Sequence, residues 1–111
     1  MSWTHYVAYF FGGLFGANSI PHLVSGTMGR AFQSPFAKPP GKGLSSSTVN
    51  VLWGAFNLAV GYVLILHVGA FDLRDPAQAA TVGAGALAIS LRLARHFGQF
   101  HGGNSPTDPR T

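Results

Sequence analysis

Three long stretches of this chain contain no Asp, Glu, Lys or Arg, and they span residues 6–24, 49–68 and 76–91. A run of about 18 or more apolar residues with few charges is typical of a membrane-spanning helix. The third run is the shortest, but Arg92 and Arg95 can extend it because long basic side chains reach the membrane interface. Only 9% of the 111 residues are charged, against about 25% in a typical soluble domain. The sequence therefore predicts an all-α integral membrane bundle of three transmembrane helices.

Local signals set the expected helix boundaries at about residues 3–24, 47–68 and 76–98. The serines before position 47 are well suited to capping a helix, and Asp75 followed by Pro76 is typical of a helix start. Pro21 is expected to kink the first helix or to end it early. We therefore expect a single transmembrane domain in residues 1–100 and a disordered tail in residues 101–111.

The charges in the loops predict the orientation of the chain. The first loop and the C-terminal end are basic, and they carry Arg30, Lys38, Lys42, Arg92, Arg95 and Arg110. The second loop carries two acids and one base, Asp72, Asp75 and Arg74. Because basic loops stay on the cytoplasmic side, we expect the C-terminus to be cytoplasmic and the N-terminus to lie outside.

Small and polar residues recur at helical spacing in all three runs. In the second run they follow steps of three and four residues, at Ser47, Asn50, Gly54, Asn57 and Gly61; the first run adds Gly12, Gly16 and Ser19, and the third adds Thr81, Gly85 and Ala88. Such stripes let membrane helices pack closely, and Asn can hydrogen-bond across the contact. Two roles remain open, a packed helix seam or a polar path that includes Asn18 and Asn57. Either role favours a homo-oligomer, because three short helices enclose little space.

The loop before the second helix contains GKGLSSST, which lacks the frame of a nucleotide-binding loop. Gly41 and Gly43 nevertheless free backbone amides near the start of a helix, where the dipole favours anions. We expect basic and polar side chains to gather at this cytoplasmic end, namely His22, Arg30, Lys38, Lys42, Arg92 and Arg95. Anionic lipid headgroups are the default ligand, and a translocated anion or small polar solute is the alternative.

Two histidines are expected near the opposite, outer surface. His5 and His67 would lie close to Asp72 and Asp75, and two His side chains with carboxylates could hold a divalent metal. A pair of His side chains could also ligate haem, although the chain has no Cys and hence no covalent haem attachment motif. Polar groups at helix ends are the favoured interpretation, and no cofactor is predicted.

Missing residue types exclude several function classes. The chain has no Glu, and its three Asp lie outside the uncharged runs. A proton-coupled exporter of cationic drugs needs an intramembrane carboxylate, so the small multidrug transporters are rejected. No catalytic set of Ser, His and Asp or of paired carboxylates can be assembled, so enzyme activity is not expected. We also expect no nucleic-acid partner.

Residues 18–57, NSIPHLVSGTMGRAFQSPFAKPPGKGLSSSTVNVLWGAFN, resemble a group of small uncharacterised bacterial membrane proteins. The resemblance implies a bacterial membrane location and no particular activity. Residues 48–56, TVNVLWGAF, are faintly similar to a helix of the small fluoride channels. The Arg motif of the first helix and the phenylalanine-rich motif of the third helix in those channels are not found here, so no fluoride conduction is carried over.

Together these patterns predict a multi-pass protein of the bacterial inner membrane. The expected function is that of a small homo-oligomeric channel or carrier for a small polar or anionic solute, entered from the basic cytoplasmic side. The alternative is a non-transporting accessory or structural subunit of a larger membrane complex. A His-based protein that binds metal or haem in the membrane is a third possibility.

Overall fold

The computed structural model describes residues 2–107 and contains three long helices and a short β-hairpin. In chain order the elements are α1 (Trp3–Thr27), β1 (Phe32–Gln33), β2 (Leu44–Ser45), α2 (Ser47–Leu66) and α3 (Pro76–His101). The all-helical prediction is therefore confirmed at the level of three helices. α3 runs past its expected end into the proposed tail, and the tail positions 108–111, Arg110 among them, lie outside the described residues.

Capping residues explain where α2 and α3 begin and end. The Ser46 hydroxyl accepts a hydrogen bond from the Val49 amide at 3.2 Å, and the Asp75 carboxylate accepts from Ala77 at 2.9 Å. α3 ends at Gly102, whose positive φ of 83° suits a residue without a side chain. Pro21 lies inside α1 and does not end it.

α1 is the central helix of a flat layer. α2 packs on one side of it and α3 on the other, and α2 and α3 make almost no contact with each other. Gly12 and Gly13 show how one helix serves two partners, because consecutive residues on a helix point about 100° apart. A Cβ on Gly12 would meet Ile65 of α2 at 2.5 Å, whereas a Cβ on Gly13 would overlap the Val82 carbonyl of α3. The predicted bundle is thus a layer, not a closed ring.

Both helix contacts depend on glycine. A Cβ on Gly61 would lie 2.8 Å from the Gly12 carbonyl oxygen, and a Cβ on Gly54 would lie 2.7 Å from Leu23 Cγ. On the other side of α1, a Cβ on Gly85 would overlap the Phe10 carbonyl. The backbones of neighbouring helices therefore approach more closely than any larger residue allows, as in small-residue packing of membrane helices.

Two helices are long and apolar enough to cross a membrane. α2 has 20 residues with a mean hydropathy of 1.8, and α3 has 26 residues with a mean hydropathy of 1.2. α1 does not reach that hydropathy, although it carries no Asp, Glu, Lys or Arg. Its buried residues explain the difference, since most of them are small or polar: Ala8, Tyr9, Gly12, Gly13, Ser19, His22 and Gly26.

The loop between α1 and α2 folds into a compact hairpin, which we define as residues 28–46. β1 and β2 pair antiparallel, with Phe32 opposite Ser45. The Ser34 and Ser45 hydroxyls are 2.6 Å apart, and the Gly41 amide donates to the Ser34 carbonyl at 2.8 Å. Gly41 has a φ of 73°, which a residue with a side chain rarely adopts. The hairpin is an ordered cover for one end of the helix layer.

Gly85→Ala should destabilise the protein, because its methyl group would overlap the Phe10 carbonyl across the contact between α1 and α3. Overpacking of this kind costs about 1–3 kcal/mol. Gly83→Ala is the matched control, since a Cβ at this position of the same helix meets nothing within 4 Å. Thermal unfolding in detergent should show a lower midpoint for Gly85→Ala alone. Equal midpoints for the two variants would contradict the close contact.

Candidate functional site

Asn50 joins the hairpin to the helices. Its side chain is fully buried at 0% exposure. The side-chain Nδ2 lies within 3.2 Å of three backbone carbonyl oxygens, those of Phe32, Ser45 and Ser46. Carbonyl oxygens can only accept, so the atom that faces them is the amide nitrogen, whose two N–H groups are shared among the three acceptors, and Oδ1 faces the other way. Oδ1 points to His22 Nδ1 at 2.7 Å.

His22 is held in one tautomer by this contact. Because Asn50 Oδ1 can only accept, the proton of neutral His22 lies on Nδ1 and donates across the 2.7 Å contact. The ring is only 3% exposed. Three aromatic rings surround it edge-on with centroid distances between 5.8 and 6.4 Å, those of Phe32, Trp53 and Phe97. His22 Nε2 therefore carries a lone pair, and it has no hydrogen-bond partner within residues 2–107.

Two histidines of α3 bind the other side of the hairpin. His96 Nε2 donates to the Gly41 carbonyl at 2.6 Å. His101 stacks on Phe32 with ring centroids 5.1 Å apart, and its Nε2 donates to Gln33 Oε1 at 2.9 Å. The hairpin thereby connects α2 and α3, which barely touch elsewhere.

A cavity of about 200 Å³ lies beneath the hairpin. Its lining comes from all three helices and from the hairpin, and it comprises Asn18, His22, Gln33, Ser34, Pro35, Gly41, Trp53, His96 and Phe97. Asn18 is its deepest member along α1, nine residues before the helix ends at Thr27, or about 13 Å along the axis. Beyond Asn18 the contact of Gly12 with Gly61 brings α1 and α2 together. The cavity thus lies towards the hairpin end of the layer.

Asn57 lies in the seam between α1 and α2 and does not line this cavity. It is 0% exposed, its Nδ2 donates to the Trp53 carbonyl at 2.8 Å, and its Oδ1 accepts from Asn18 Nδ2 at 2.9 Å. Of the two roles that the sequence left open, the geometry of Asn57 is that of a packed seam. Gly54, Gly61 and Gly85 also lie in helix contacts, whereas Asn18 touches both the seam and the cavity.

The expected basic cluster divides into two parts. His22 lies inside the cavity, whereas the Arg and Lys side chains are all exposed at the hairpin end, namely Arg30, Lys38, Lys42, Arg92 and Arg95. Arg92 and Arg95 line a surface groove of about 400 Å³ together with His96. His96 thus contributes to both the groove and the cavity. We refer to the five exposed basic residues as the basic rim.

The outer histidines form no metal cluster. Within residues 2–107, no group of three or more His, Cys, Asp or Glu side chains is placed to hold a metal ion. His67 Nε2 instead lies 3.1 Å from the Tyr62 hydroxyl of its own helix. His5 packs beneath Gly69, and its Nδ1 is buried without a partner among residues 2–107, as is the Tyr9 hydroxyl. The predicted pairing of His5 and His67 with carboxylates therefore has no support in the geometry.

Sequence reasoning missed part of the cavity wall. Gln33 and Ser34 are 5% and 1% exposed, although both belong to a loop. Nothing in their spacing signals burial, because it depends on how the hairpin folds back. Trp53 could have been found, since it lies three residues after Asn50 and four before Asn57 and so shares their helix face.

Comparison of the chain with protein-family models, with curated proteins and with solved structures finds no match. The geometry of the cavity, the distribution of charge and the placement of apolar side chains therefore carry the functional assignment.

Asn50→Leu should release the hairpin from the helices, because it removes the side-chain amide that bonds to the Phe32 and Ser45 carbonyl oxygens and to His22. Each buried polar group left unpaired costs about 1–3 kcal/mol. The released hairpin should be cut faster by trypsin after Lys42, which limited proteolysis in detergent measures. Asn57→Leu is the matched control, since polar contacts between membrane helices contribute only about 0.6 kcal/mol on average. Unchanged cleavage in Asn50→Leu would contradict the anchoring role.

Proposed function

We propose that the chain is an integral membrane protein in which α1, α2 and α3 all cross the bilayer. The placement of side chains supports this proposal. Large apolar side chains point outwards on every helix, among them Ile20, Leu52, Phe56, Leu87 and Leu91, which are 57–65% exposed. The fully buried side chains include Asn50 and Asn57. Apolar exteriors and hydrogen-bonded polar interiors suit a lipid surrounding and are unfavourable in water.

α1 crosses the membrane in this proposal despite its lower hydropathy. Its 25 residues form a helix of about 37 Å, enough to span a hydrocarbon core of about 30 Å. Of the polar residues that lower its hydropathy, Ser19 and His22 are buried and Asn18 is half-buried against α2. Interior polar residues of this kind are common in membrane proteins and frequently serve function.

The basic rim sets the proposed orientation. It gathers five Lys and Arg residues at the hairpin end, whereas the opposite end carries Asp72, Asp75 and Arg74. Positively charged loops remain cytoplasmic, so the hairpin faces the cytoplasm and the N-terminus lies outside. The inner membrane of a bacterium is the proposed location, in keeping with the family resemblance of residues 18–57, which stays a prediction. Anionic lipid headgroups are the natural partners of the rim.

The function that the geometry supports best is the binding and carriage of a small polar solute, by a homo-oligomeric channel or carrier. The cavity beneath the hairpin carries this proposal. Its volume of about 200 Å³ admits a solute of a few heavy atoms, and the His22 ring, which is 3% exposed, lines it with an Nε2 that has no hydrogen-bond partner within residues 2–107. A membrane cavity that reaches inwards from one side and is closed at the other resembles one access state of a carrier. Because a single layer encloses no complete path, oligomerisation or helix movement must supply the other half.

A second candidate is a non-transporting accessory subunit. Its support is the sealed seam around Asn57, together with the outer apolar faces of α2 and α3, which nothing in the described chain covers. Such faces could pack against a larger membrane complex. Under this alternative the cavity would be a structural void filled by water.

The number of spans and their orientation can be measured by cysteine labelling, because the chain has no Cys. We expect Ser2→Cys and Ala70→Cys, both exposed, to react with an impermeant maleimide from outside intact cells. Ala31→Cys in the hairpin should react only after lysis. The cysteine-free parent is the control. If Ser2→Cys and Ala31→Cys react from the same side, α1 does not cross the membrane.

If the cavity carries solute, replacing Asn by Leu should have different effects at Asn18 and at Asn57, two residues whose side chains contact each other. Asn18→Leu should lower solute flux into proteoliposomes about tenfold or more, the effect of roughly 1.4 kcal/mol, because Asn18 lines the cavity. Asn57→Leu should lower flux less than Asn18→Leu, because it leaves the Asn18 amide in the cavity and removes only the contact that orients it. The pair is matched, since both changes remove the same hydrogen bond between the two side chains.

Radiolabelled acetamide and acetate are suitable flux probes, and size-exclusion chromatography checks that each variant assembles as the parent does. Equal loss of flux in the two variants would assign the effect to the seam, not to the cavity. If the parent assembles normally and carries neither probe, the accessory subunit becomes the preferred function.

A further inference from the structure

The deep wall of the cavity presents hydrogen-bond acceptors. The first is His22 Nε2. It carries a lone pair because the ring proton lies on Nδ1, where it is donated to Asn50 Oδ1. Asn50 gives its Nδ2 to the hairpin carbonyls and its Oδ1 to His22 Nδ1. The ring is 3% exposed and lines the cavity, and Nε2 has no partner within residues 2–107. Within residues 2–107 the two side-chain atoms that are buried without a partner are His5 Nδ1 and the Tyr9 hydroxyl, so His22 Nε2 is accessible from the cavity and can accept a hydrogen bond from a solute or water.

The second acceptor is Asn18 Oδ1, which is fixed in the same manner. Asn57 gives its Nδ2 to the Trp53 carbonyl, so its Oδ1 receives the Asn18 Nδ2 proton at 2.9 Å. Asn18 Oδ1 is thereby left without a partner in the described chain. Asn18 and His22 are four residues apart on α1, and side chains at this spacing lie about 6 Å apart on one helix face.

The hairpin side of the cavity presents a hydrogen-bond donor, unlike the deep wall. Gln33 Oε1 is occupied by His101, which leaves the Gln33 amide N–H₂ as a donor on the hairpin side of the cavity. A solute that fits both ends donates hydrogen bonds towards α1 and accepts one from the hairpin. Primary amides have this arrangement of groups.

Charge restricts the solute further. Two lone pairs at the deep wall repel an anion, and among residues 2–107 no Lys or Arg side chain lines the cavity to offset that repulsion. A cation gains no carboxylate partner either, because within residues 2–107 the only acids are Asp72 and Asp75, at the opposite end. It must also pass the basic rim. Buried charges without partners are strongly disfavoured.

We infer that the cavity binds a small neutral solute that donates hydrogen bonds, such as a primary amide, in preference to an anion. This inference deepens the proposed function and rests on it for the cavity being a solute site. It also separates two roles at one end of the protein, since the basic rim binds anionic headgroups and the interior selects neutral molecules.

Acetamide and acetate test the inference, because they share shape and size and differ in charge and donor groups. Side-chain ¹⁵N spectra of histidine-labelled protein in lipid nanodiscs resolve a bare ring nitrogen from a protonated one. Before ligand is added, we expect His22 to show a bare Nε2 and a protonated Nδ1. Acetamide should shift the Nε2 resonance in a saturable manner, and acetate should not. Methylammonium, a cationic donor of similar size, should also leave it unshifted.

Substitutions then separate binding from folding. Asn18→Val should weaken acetamide binding about tenfold, which is roughly 1.4 kcal/mol, while His22 remains as the probe. His22→Phe should abolish acetamide binding measured by equilibrium dialysis. His67→Phe is the matched control, since His67 lies outside the cavity and should leave binding unchanged. If His22→Phe does not assemble, Asn18→Val alone decides the outcome.

Three results would overturn the inference. The first is saturable binding of acetate or methylammonium with no effect of acetamide, which would leave the proposed carriage standing with another solute class. The second is a His22 ring protonated on Nε2 and bare on Nδ1. The third is the absence of binding by any of the three probes in a folded protein, which would remove both the inference and the proposed carrier.

Discussion

The buried amide of Asn50 is the interaction on which this end of the protein depends. A single side chain supplies hydrogen bonds to the hairpin backbone and at the same time accepts the His22 proton. In a low-dielectric interior an unpaired carbonyl is costly, so the hairpin gains a specific position by meeting this amide. The same contact leaves His22 Nε2 available. The same Asn50 side chain therefore determines both the position of the hairpin and the acceptor that His22 presents to the cavity.

Packing of the helices follows a second constraint, the close approach of backbones. Gly12 with Gly61, and Gly13 with Gly85, leave room for α1 to contact two partners along nearly its whole length. Large apolar side chains consequently have no place inside and point outwards, where lipid is their natural solvent. The interior retains the polar residues, and most of them find partners within the layer. An apolar surface combined with a polar interior is the main structural support for the proposed location in a membrane.

Electrostatics differ between the rim and the cavity beneath it. Exposed Arg92 and Arg95 line a groove at the surface, where the proposed lipid partners would be anionic headgroups. The cavity beneath the hairpin is lined by the amides of Asn18 and Gln33, the imidazoles of His22 and His96, and aromatic rings. Attraction of anions to the surface therefore need not indicate an anionic solute. The combination suits the proposed arrangement, in which the hairpin end contacts lipid headgroups and the cavity selects a neutral molecule.

The sequence by itself determined the three helices and the buried face of α2, whereas on α3 only Gly85 of the predicted stripe is buried and Ala88 is exposed. Steps of three and four residues identified Asn50, Gly54, Asn57 and Gly61 as one stripe of α2, because helical periodicity is a local property, and these four are its buried residues. Periodicity does not say which helix covers a stripe. Only the tertiary structure put α1 in the middle, paired Asn18 with Asn57 across 39 positions of sequence and folded the hairpin over His22. The cavity and its acceptors arise from those long-range contacts. Asn18 Oδ1 is free because Asn18 Nδ2 is bound to Asn57, and His22 Nε2 is free because His22 Nδ1 is bound to Asn50.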